Sequence, residues 1–364
     1  MNIKAAVTLK RSDKFKIMDI VLSDPMDDEV IVKIVGSGIC HTDLAAVHQH
    51  FPTTLPAVFG HEGAGIVELV GKKVTKVKPG DHVVLSWNYC SECRPCKDGE
   101  YYYCENFITQ NLIGCRSDGS LTLKNGEEDI HGSFFRQSSF ADYALANEQN
   151  VVKVRDDIPL EILAPLGCGI QTGAGAVLNE FKPNDSDSIV IFGTGSVGLS
   201  AVLASVLCKC KKIIAIDIDN KRLDIAKKMG ATHIINSKEK NAVEEIMKIC
   251  EKGVNYSLEC VGNPEVLKQA VDVLAVRGVA GQIGVVAPGT NVSLDMYKIM
   301  NGRTVMGIVE GNSISDTFIP KLIELYAEGK FPFDQLIKFY KFEDINKAVE
   351  DMENGDVVKP VLKF

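Results

Sequence analysis

Residues 189–207 read IVIFGTGSVGLSAVLASVL, nineteen positions without a charge, and three glycines decide what this run can become. A membrane-spanning helix of that length would be apolar without interruption. Here Gly193, Gly195 and Gly198 punctuate the run as G-x-G-x-x-G, after the β-branched SIVIF and before the helix-forming SVGLSAVLASVL. That order predicts a strand, a tight turn and a helix. A second apolar run, KKIIAIDID, reaches Asp217 nineteen residues beyond Gly198. YSLEC and VAGQIGVV continue the alternation of strands with helical stretches to about residue 300, the rhythm of a parallel sheet with crossover helices.

A glycine turn of this kind lets backbone approach a pyrophosphate, which then lies at a helix N-terminus. Asp217 stands where a carboxylate would take the hydroxyls of an adenosine ribose, and it would repel a ribose phosphate. NAD is therefore expected over NADP, although Arg222, five residues on, is of the type that accepts that phosphate. A purely structural glycine turn is the alternative.

At 364 residues the chain exceeds what one hydrophobic core holds, so two domains are expected. Residues before about 155 alternate short Val/Ile runs (DEVIVKIVGSG, GAGIVELVG, GDHVVLSW) with Gly, Pro and Asp turns, the pattern of a β-rich domain. The balance of 40 Lys+Arg against 48 Asp+Glu argues against nucleic-acid or anionic-membrane partners. MNIKAAVTLK lacks the apolar core of a signal peptide, which gives a cytoplasmic expectation.

Four of the eleven cysteines, Cys90, Cys93, Cys96 and Cys104, form C-x2-C-x2-C-x7-C. Tight C-x-x-C turns deliver converging thiolates, and a tetrahedral zinc needs four. NYCSECRPCKDGEYYYC has few aliphatic residues, so a metal would replace the missing core. A zinc ribbon that binds nucleic acid is the alternative from another class, but Glu92, Asp98, Glu100 and Glu105 outnumber Arg94 and Lys97.

A second set is dispersed: Cys40 in GSGICHTD, His61 in FGHEGAG and Cys168 in PLGCGIQTG. Singly, each fits a bland role, since buried cysteines are common and a lone histidine is usually satisfied by its neighbours. Each also sits in a glycine-bearing segment that can bring a side chain to a shared metal. Three protein ligands and one open position make the catalytic form of zinc.

Taken in order, Gly60-His61-Glu62 with Gly65, Gly71 and Val74, the Cys40 segment, the four-cysteine lobe, GCGIQTG and GTGSVG make the chain resemble the zinc-dependent medium-chain alcohol dehydrogenases over essentially its whole length. CHTDL, HFPTTLPAVFGHEG, PLGCGIQTGAGA and GKFPFDQLIKFY are most similar to the bacterial aryl-alcohol (benzyl alcohol) dehydrogenases. The resemblance implies an α/β protein. Residues 1–169 would be a GroES-like catalytic zinc domain with its lobe at 88–106, residues 170–309 a Rossmann-type NAD-binding domain with a doubly wound parallel sheet, and residues 310–364 a return to the first. It implies two zinc ions per chain and NAD, a primary aryl or allylic alcohol oxidised reversibly to the aldehyde, and a homodimer or homotetramer.

Residue by residue, Cys40, His61 and Cys168 match the catalytic zinc ligands, Glu62 a supporting or alternate carboxylate, and Asp43 an acid that orients the ligating histidine. Thr42 matches the hydroxyl that passes the substrate proton to the nicotinamide ribose, and His41 a position by the pyrophosphate. Thr172 and Val197 match residues flanking the nicotinamide, and Lys359 a basic residue near the phosphates. Ala45 departs from the pattern, since many relatives carry a histidine there to finish the proton relay; His41 or water would take its place. An apolar substrate slot is expected to include Trp87, Val285 and Val309, though Trp87 fits an ordinary core position as well. A glutathione-linked formaldehyde enzyme of the same family would need basic residues at the pocket mouth, for which Arg116 is the candidate.

Overall fold

A computed structural model describes residues 1–364 and resolves them into two compact units. The first comprises Met1–Cys168, Ile314–Glu324 and Asp334–Phe364; the second comprises Gly169–Ser313 and Leu325–Phe333. Relative to the division drawn from the sequence, residues 310–313 and 325–333 go with the second unit. Gly311 lies directly on the helix Gly169–Gly175, and Phe331 and Phe333 are fully buried.

The first unit is built on two sheets. One is antiparallel, with strands in the order Ala57–Val58, Asn2–Thr8, Lys16–Leu22, Leu123–Asn125 and Glu128–Ile130. The other centres on the long strand Glu29–Gly38, which pairs with Glu62–Val70, Tyr143–Asn147 and the C-terminal strand Lys359–Lys363. Val30, Val32 and Ile34 point to one side of that strand and join a core with Val67, Val83 and Leu85. Irregular register at Ile34/Gly36 then turns the strand end toward Glu62, which pairs with Gly38. The same strand end pairs with the C-terminal strand through Val361 and Gly38, so residues 38, 62 and 359–361 meet across three neighbouring strands.

The second unit holds a six-stranded parallel sheet. Numbered along the chain, its strands run 3-2-1-4-5-6: His233–Asn236, Lys212–Asp217, Ser188–Phe192, Val254–Glu259, Leu274–Gln282 and Thr304–Gly307. This is a doubly wound order whose reversal beside strand 1 opens a crevice at the carboxyl ends of the strands. Both faces are covered, as continuous apolar strands require. Val190 and Phe192 pack with Ile246 and Ala270, while Ile191 lies beneath Gly198 of the helix Ser196–Leu207. The uncharged run of 189–207 thus divides into strand and helix at its glycines, and no single helix is long and apolar enough to cross a membrane.

Candidate active site

Helix His41–Val47 begins at Cys40, whose extended backbone makes it the N-cap. Asp43, in the first turn, returns its carboxylate to that start and accepts the Cys40 N–H at 3.0 Å. Its other oxygen accepts the Gly60 N–H at 3.0 Å and the His61 Nδ1 at 2.8 Å. One buried carboxylate therefore ties the helix start to the 60–62 segment and fixes the tautomer of His61 with its proton on Nδ1.

That assignment frees Nε2 to act as a ligand, and Nε2 is fully buried without a hydrogen-bond partner. Such an orphaned atom is costly unless something binds it. Ligand atoms of Cys40, His61, Glu62 and Cys168 all lie within 4.8 Å of one another around it. The donor set of two sulfurs, an imidazole and a carboxylate fits zinc. The His61 ring is clamped by Phe135, stacked at 4.6 Å, and by the edge of Phe134 at 5.8 Å. Gln137 accepts the Gly63 N–H and donates to the carbonyls of His61 and Ser86. Phe135 and Arg136 have φ of 50° and 52°, left-handed values for side chains that disfavour them, which marks the segment as held in place by its surroundings. Phe135 and Gln137 went unnoticed in the sequence, where SFFRQSS offers no signal beyond its two aromatics.

The hydrogen bond to Cys168 and the charges of Lys359 and His61 hold the Cys40 thiol well below its ordinary range, against burial. Burial works against a charged His61, but Asp43 and Cys40 outweigh it and raise its pKa. The lowered Cys40 pKa favours the thiolate that a metal needs. The raised His61 pKa shows that the surrounding negative charge calls for a cation, a charge that a metal would supply in place of the ring proton. Thr42 lies in the same turn, half-buried, with its Oγ1 3.7 Å from the Cys40 sulfur. His41 is exposed, and Ala45 occupies the next turn.

Lys359 departs from the expected place at the phosphates. Its ammonium is 1% exposed and donates to both Glu62 oxygens at 2.9 Å and to the Ile39 carbonyl at 3.1 Å. Three donors meet three acceptors, so none is left for a phosphate. The physical reason is Glu62: burial pushes that carboxyl up, and Lys359 opposes the push as its counter-charge. Burial disfavours the Lys359 ammonium in turn, and Glu62 more than compensates. Gly38 is required beside them, because a Cβ there would sit 2.0 Å from Glu62 Oε2.

In the four-cysteine lobe the sulfurs of Cys90, Cys93, Cys96 and Cys104 also lie within 4.8 Å of one another. Backbone N–H groups of Cys90, Glu92, Cys93 and Glu105 donate to sulfurs at 3.3–3.5 Å. Burial resists ionisation of Cys90, but hydrogen bonds from Asn106, Glu92 and Cys93 bring it to about 6. Trp87 is buried nearby, with Tyr89 and Phe107 at centroid distances of 5.7 and 6.2 Å, in the core of the unit. Val285 is exposed and Val309 half-buried. Arg116 is buried in an ion pair with Glu29 at 2.7 Å, which removes it as a basic residue at a pocket mouth.

In the second unit Gly193 follows the first strand at φ +89°, and a Cβ on Gly198 would sit 1.9 Å from its carbonyl oxygen. Only glycine permits both. Gly195 faces open space at the N-cap of the helix, where a phosphate could approach. Asp217 ends the second strand, and its Oδ2 accepts both the N–H and the hydroxyl of Thr194 at 2.7 Å. Its Oδ1 accepts the N–H groups of Ile218 and Asp219. Asp217 thus shapes the turn as well as standing beside it. Arg222 is half-buried on the next helix, Asn220–Lys228. Thr172 lies on the helix Gly169–Gly175, where a Cβ on Gly173 would be 1.9 Å from the Val197 carbonyl oxygen.

Fold and donor sets define a zinc-binding dehydrogenase, and the comparisons agree. Residues 26–156 match the alcohol dehydrogenase GroES-like domain family, and residues 196–328 the zinc-binding dehydrogenase family. Geraniol dehydrogenase of Castellaniella defragrans is 40% identical over 364 aligned residues, covering 99% of this chain and 97% of that protein. The solved structure of benzyl alcohol dehydrogenase from Acinetobacter calcoaceticus is 47% identical with a TM-score of 0.96, covering 100% and 99% of the two chains. That of an alcohol dehydrogenase zinc-binding domain protein from Burkholderia ambifaria is 46% identical with a TM-score of 0.98, at the same coverage. The chain belongs to the zinc-dependent medium-chain alcohol dehydrogenase family, and it is an alcohol oxidoreductase with a GroES-like domain and a Rossmann-type parallel-sheet domain.

Proposed function

We propose that this enzyme oxidises primary aryl or allylic alcohols reversibly to aldehydes with NAD, holding two zinc ions per chain and working as a homodimer or homotetramer. The observation that carries the chemistry is the orphaned, Asp43-oriented Nε2 of His61 beside two cysteine sulfurs and a carboxylate. Cys40, His61 and Cys168 would hold the catalytic zinc with Glu62 in support; Cys90, Cys93, Cys96 and Cys104 would hold the structural one. When bound, zinc supplies the Lewis acidity that brings an alcohol oxygen into the neutral pKa range, and NAD supplies the hydride acceptor.

The chain's own residues do the rest. Asp43 keeps the His61 proton on Nδ1, so the imidazole stays a ligand. Thr42 would take up the substrate hydroxyl proton at its Oγ1 and, with the cofactor bound, pass it on toward the ribose. With Ala45 in the next turn, His41 or water receives it, and exposed His41 stands within one residue of Thr42. Gly193, Gly195, Val197 and Gly198 would receive the dinucleotide pyrophosphate, and Asp217, already holding the turn through Thr194, its adenosine ribose. The acid at Asp217 favours NAD. The substrate class is supported by relatives named for benzyl alcohol, an aryl alcohol, and geraniol, an allylic one. Aliphatic alcohols within the same family are the second reading.

Initial rates of NADH and NADPH formation on benzyl alcohol, cinnamyl alcohol, ethanol, a short diol and hydroxymethylglutathione test the proposal. The expected outcome is a kcat/KM advantage of about a hundredfold, or about 2.7 kcal/mol, for the aryl and allylic alcohols with NAD. Flat or ethanol-favouring rates would keep the family and remove this substrate class.

A further inference from the structure

Two residues separate the sixth strand of the parallel sheet from three successive residues in left-handed backbone: Glu310 at φ 49°, Gly311 at 66° and Asn312 at 47°. Of the three, Glu310 carries the side chain that this conformation most disfavours. The loop is nevertheless fixed. A Cβ on Gly175 would sit 2.3 Å from the Gly311 carbonyl oxygen, and one on Gly311 would sit 2.5 Å from that of Gln171. Asn179 donates to the Gly311 carbonyl and the Ser313 hydroxyl, and Asn312 donates to Glu180 at 2.8 Å. So much fixing around a strained turn gives the side chain it presents a definite address.

That side chain is the Glu310 carboxylate, buried and accepting the Thr172 hydroxyl at 3.3 Å. Thr172 is the residue before Gly173, whose backbone abuts Val197 inside the glycine fingerprint. Glu310 therefore places an acidic group at the carboxyl end of the sheet, beside the element that would receive the dinucleotide.

We infer that Glu310 sets the enzyme's preference between oxidised and reduced cofactor. This rests on the reading that Thr172 flanks the nicotinamide. The nicotinamide ring of NAD carries a positive charge, and that of NADH carries none. A carboxylate fixed nearby in a partly desolvated place attracts the first and is indifferent to the second. Glu310 thus tightens NAD, leaves NADH little affected, and tilts the bound equilibrium toward the oxidised cofactor. It is a positioning and specificity residue, with no bond made or broken at it.

The test is equilibrium binding to the zinc-loaded protein, with NADH followed by its fluorescence and NAD by competition. Glu310→Gln keeps the shape and removes the charge. It is expected to weaken NAD about tenfold while leaving NADH within about twofold, and Glu310→Asp is expected to restore the ratio. Should Gln impair folding on a thermal melt, Glu310→Asn removes the same charge with a side chain at ease at positive φ. An unchanged NAD to NADH ratio in the charge-free variant overturns the inference. If the wild type turns over alcohols and binds both dinucleotides while that ratio stays fixed, only the role of Glu310 falls. If the wild type binds neither, the cofactor reading falls, and this inference with it.

Discussion

Two cysteine-containing clusters sit in the same unit of this protein, and they are built on opposite plans. The lobe of Cys90, Cys93, Cys96 and Cys104 draws four like ligands from fifteen consecutive residues, with two sulfurs half-buried and short backbone N–H contacts around them. The cluster of Cys40, His61, Glu62 and Cys168 draws unlike ligands from three segments spread over more than a hundred residues. It surrounds them with a fully buried acid, a buried ion pair and two aromatic rings. Four identical donors with local support suit a metal whose work is done once it is bound. A mixed set held by distant elements, each oriented by a further partner, suits a metal whose fourth position is to be used.

If that contrast is right, the largest effect falls on chemistry in the dispersed cluster. His61→Ala and Cys168→Ser are expected to lower kcat/KM by about a thousandfold or more, with circular dichroism and NADH affinity close to wild type. Turnover preserved in either variant would place the chemistry elsewhere. Cys93→Ser should act on the other axis. Removing one of four thiolates from a lobe with almost no core is expected to cost about 3 kcal/mol and lower Tm by about 10 °C. The folded fraction is expected to keep its kcat/KM within about twofold. Dead chemistry at unchanged Tm would erase the distinction between the two clusters.

The same contrast explains what the sequence disclosed. The lobe and the glycine turn are legible because all their determinants lie within fifteen to thirty residues, where spacing and local geometry are nearly the same thing. Cys40, His61 and Cys168 read only as candidates, since nothing in the spacing of three remote segments says that they converge. Their meeting depends on irregular pairing at Ile34/Gly36 and on a C-terminal strand laid against residues 36–38. Lys359 was misplaced for that reason. Its neighbours in the chain give no hint of Glu62, nearly three hundred residues earlier, and a buried carboxylate in an apolar, glycine-rich segment was the one available sign that a counter-charge had to come from somewhere. Glu310 went unread because EGNS looks like any polar turn; its importance lies in backbone angles and in the packing of Gly311 on Gly175.

The finest test of the comparison is Asp43→Asn. The carboxylate accepts three N–H groups, from Cys40, Gly60 and His61, and donates none. An amide offers one acceptor oxygen and an NH2 that must face at least one of those donors. Keeping the oxygen on Gly60 and His61 turns the NH2 toward the Cys40 N–H, and the opposite choice unlocks the His61 tautomer. The first choice strains the helix start that carries Cys40 and the second the orientation of Nε2, while every direct ligand remains. Zinc affinity at the dispersed cluster is expected to fall about ten- to a hundredfold, with kcat falling alongside. A chelator titration with metal counted per chain reads this directly: one ion should leave at lower chelator than in the wild type, and the ion in the lobe should leave where it always did. Two ions lost together would mean that the clusters are coupled through the fold, and that the buried acid supports the whole unit and not one ligand.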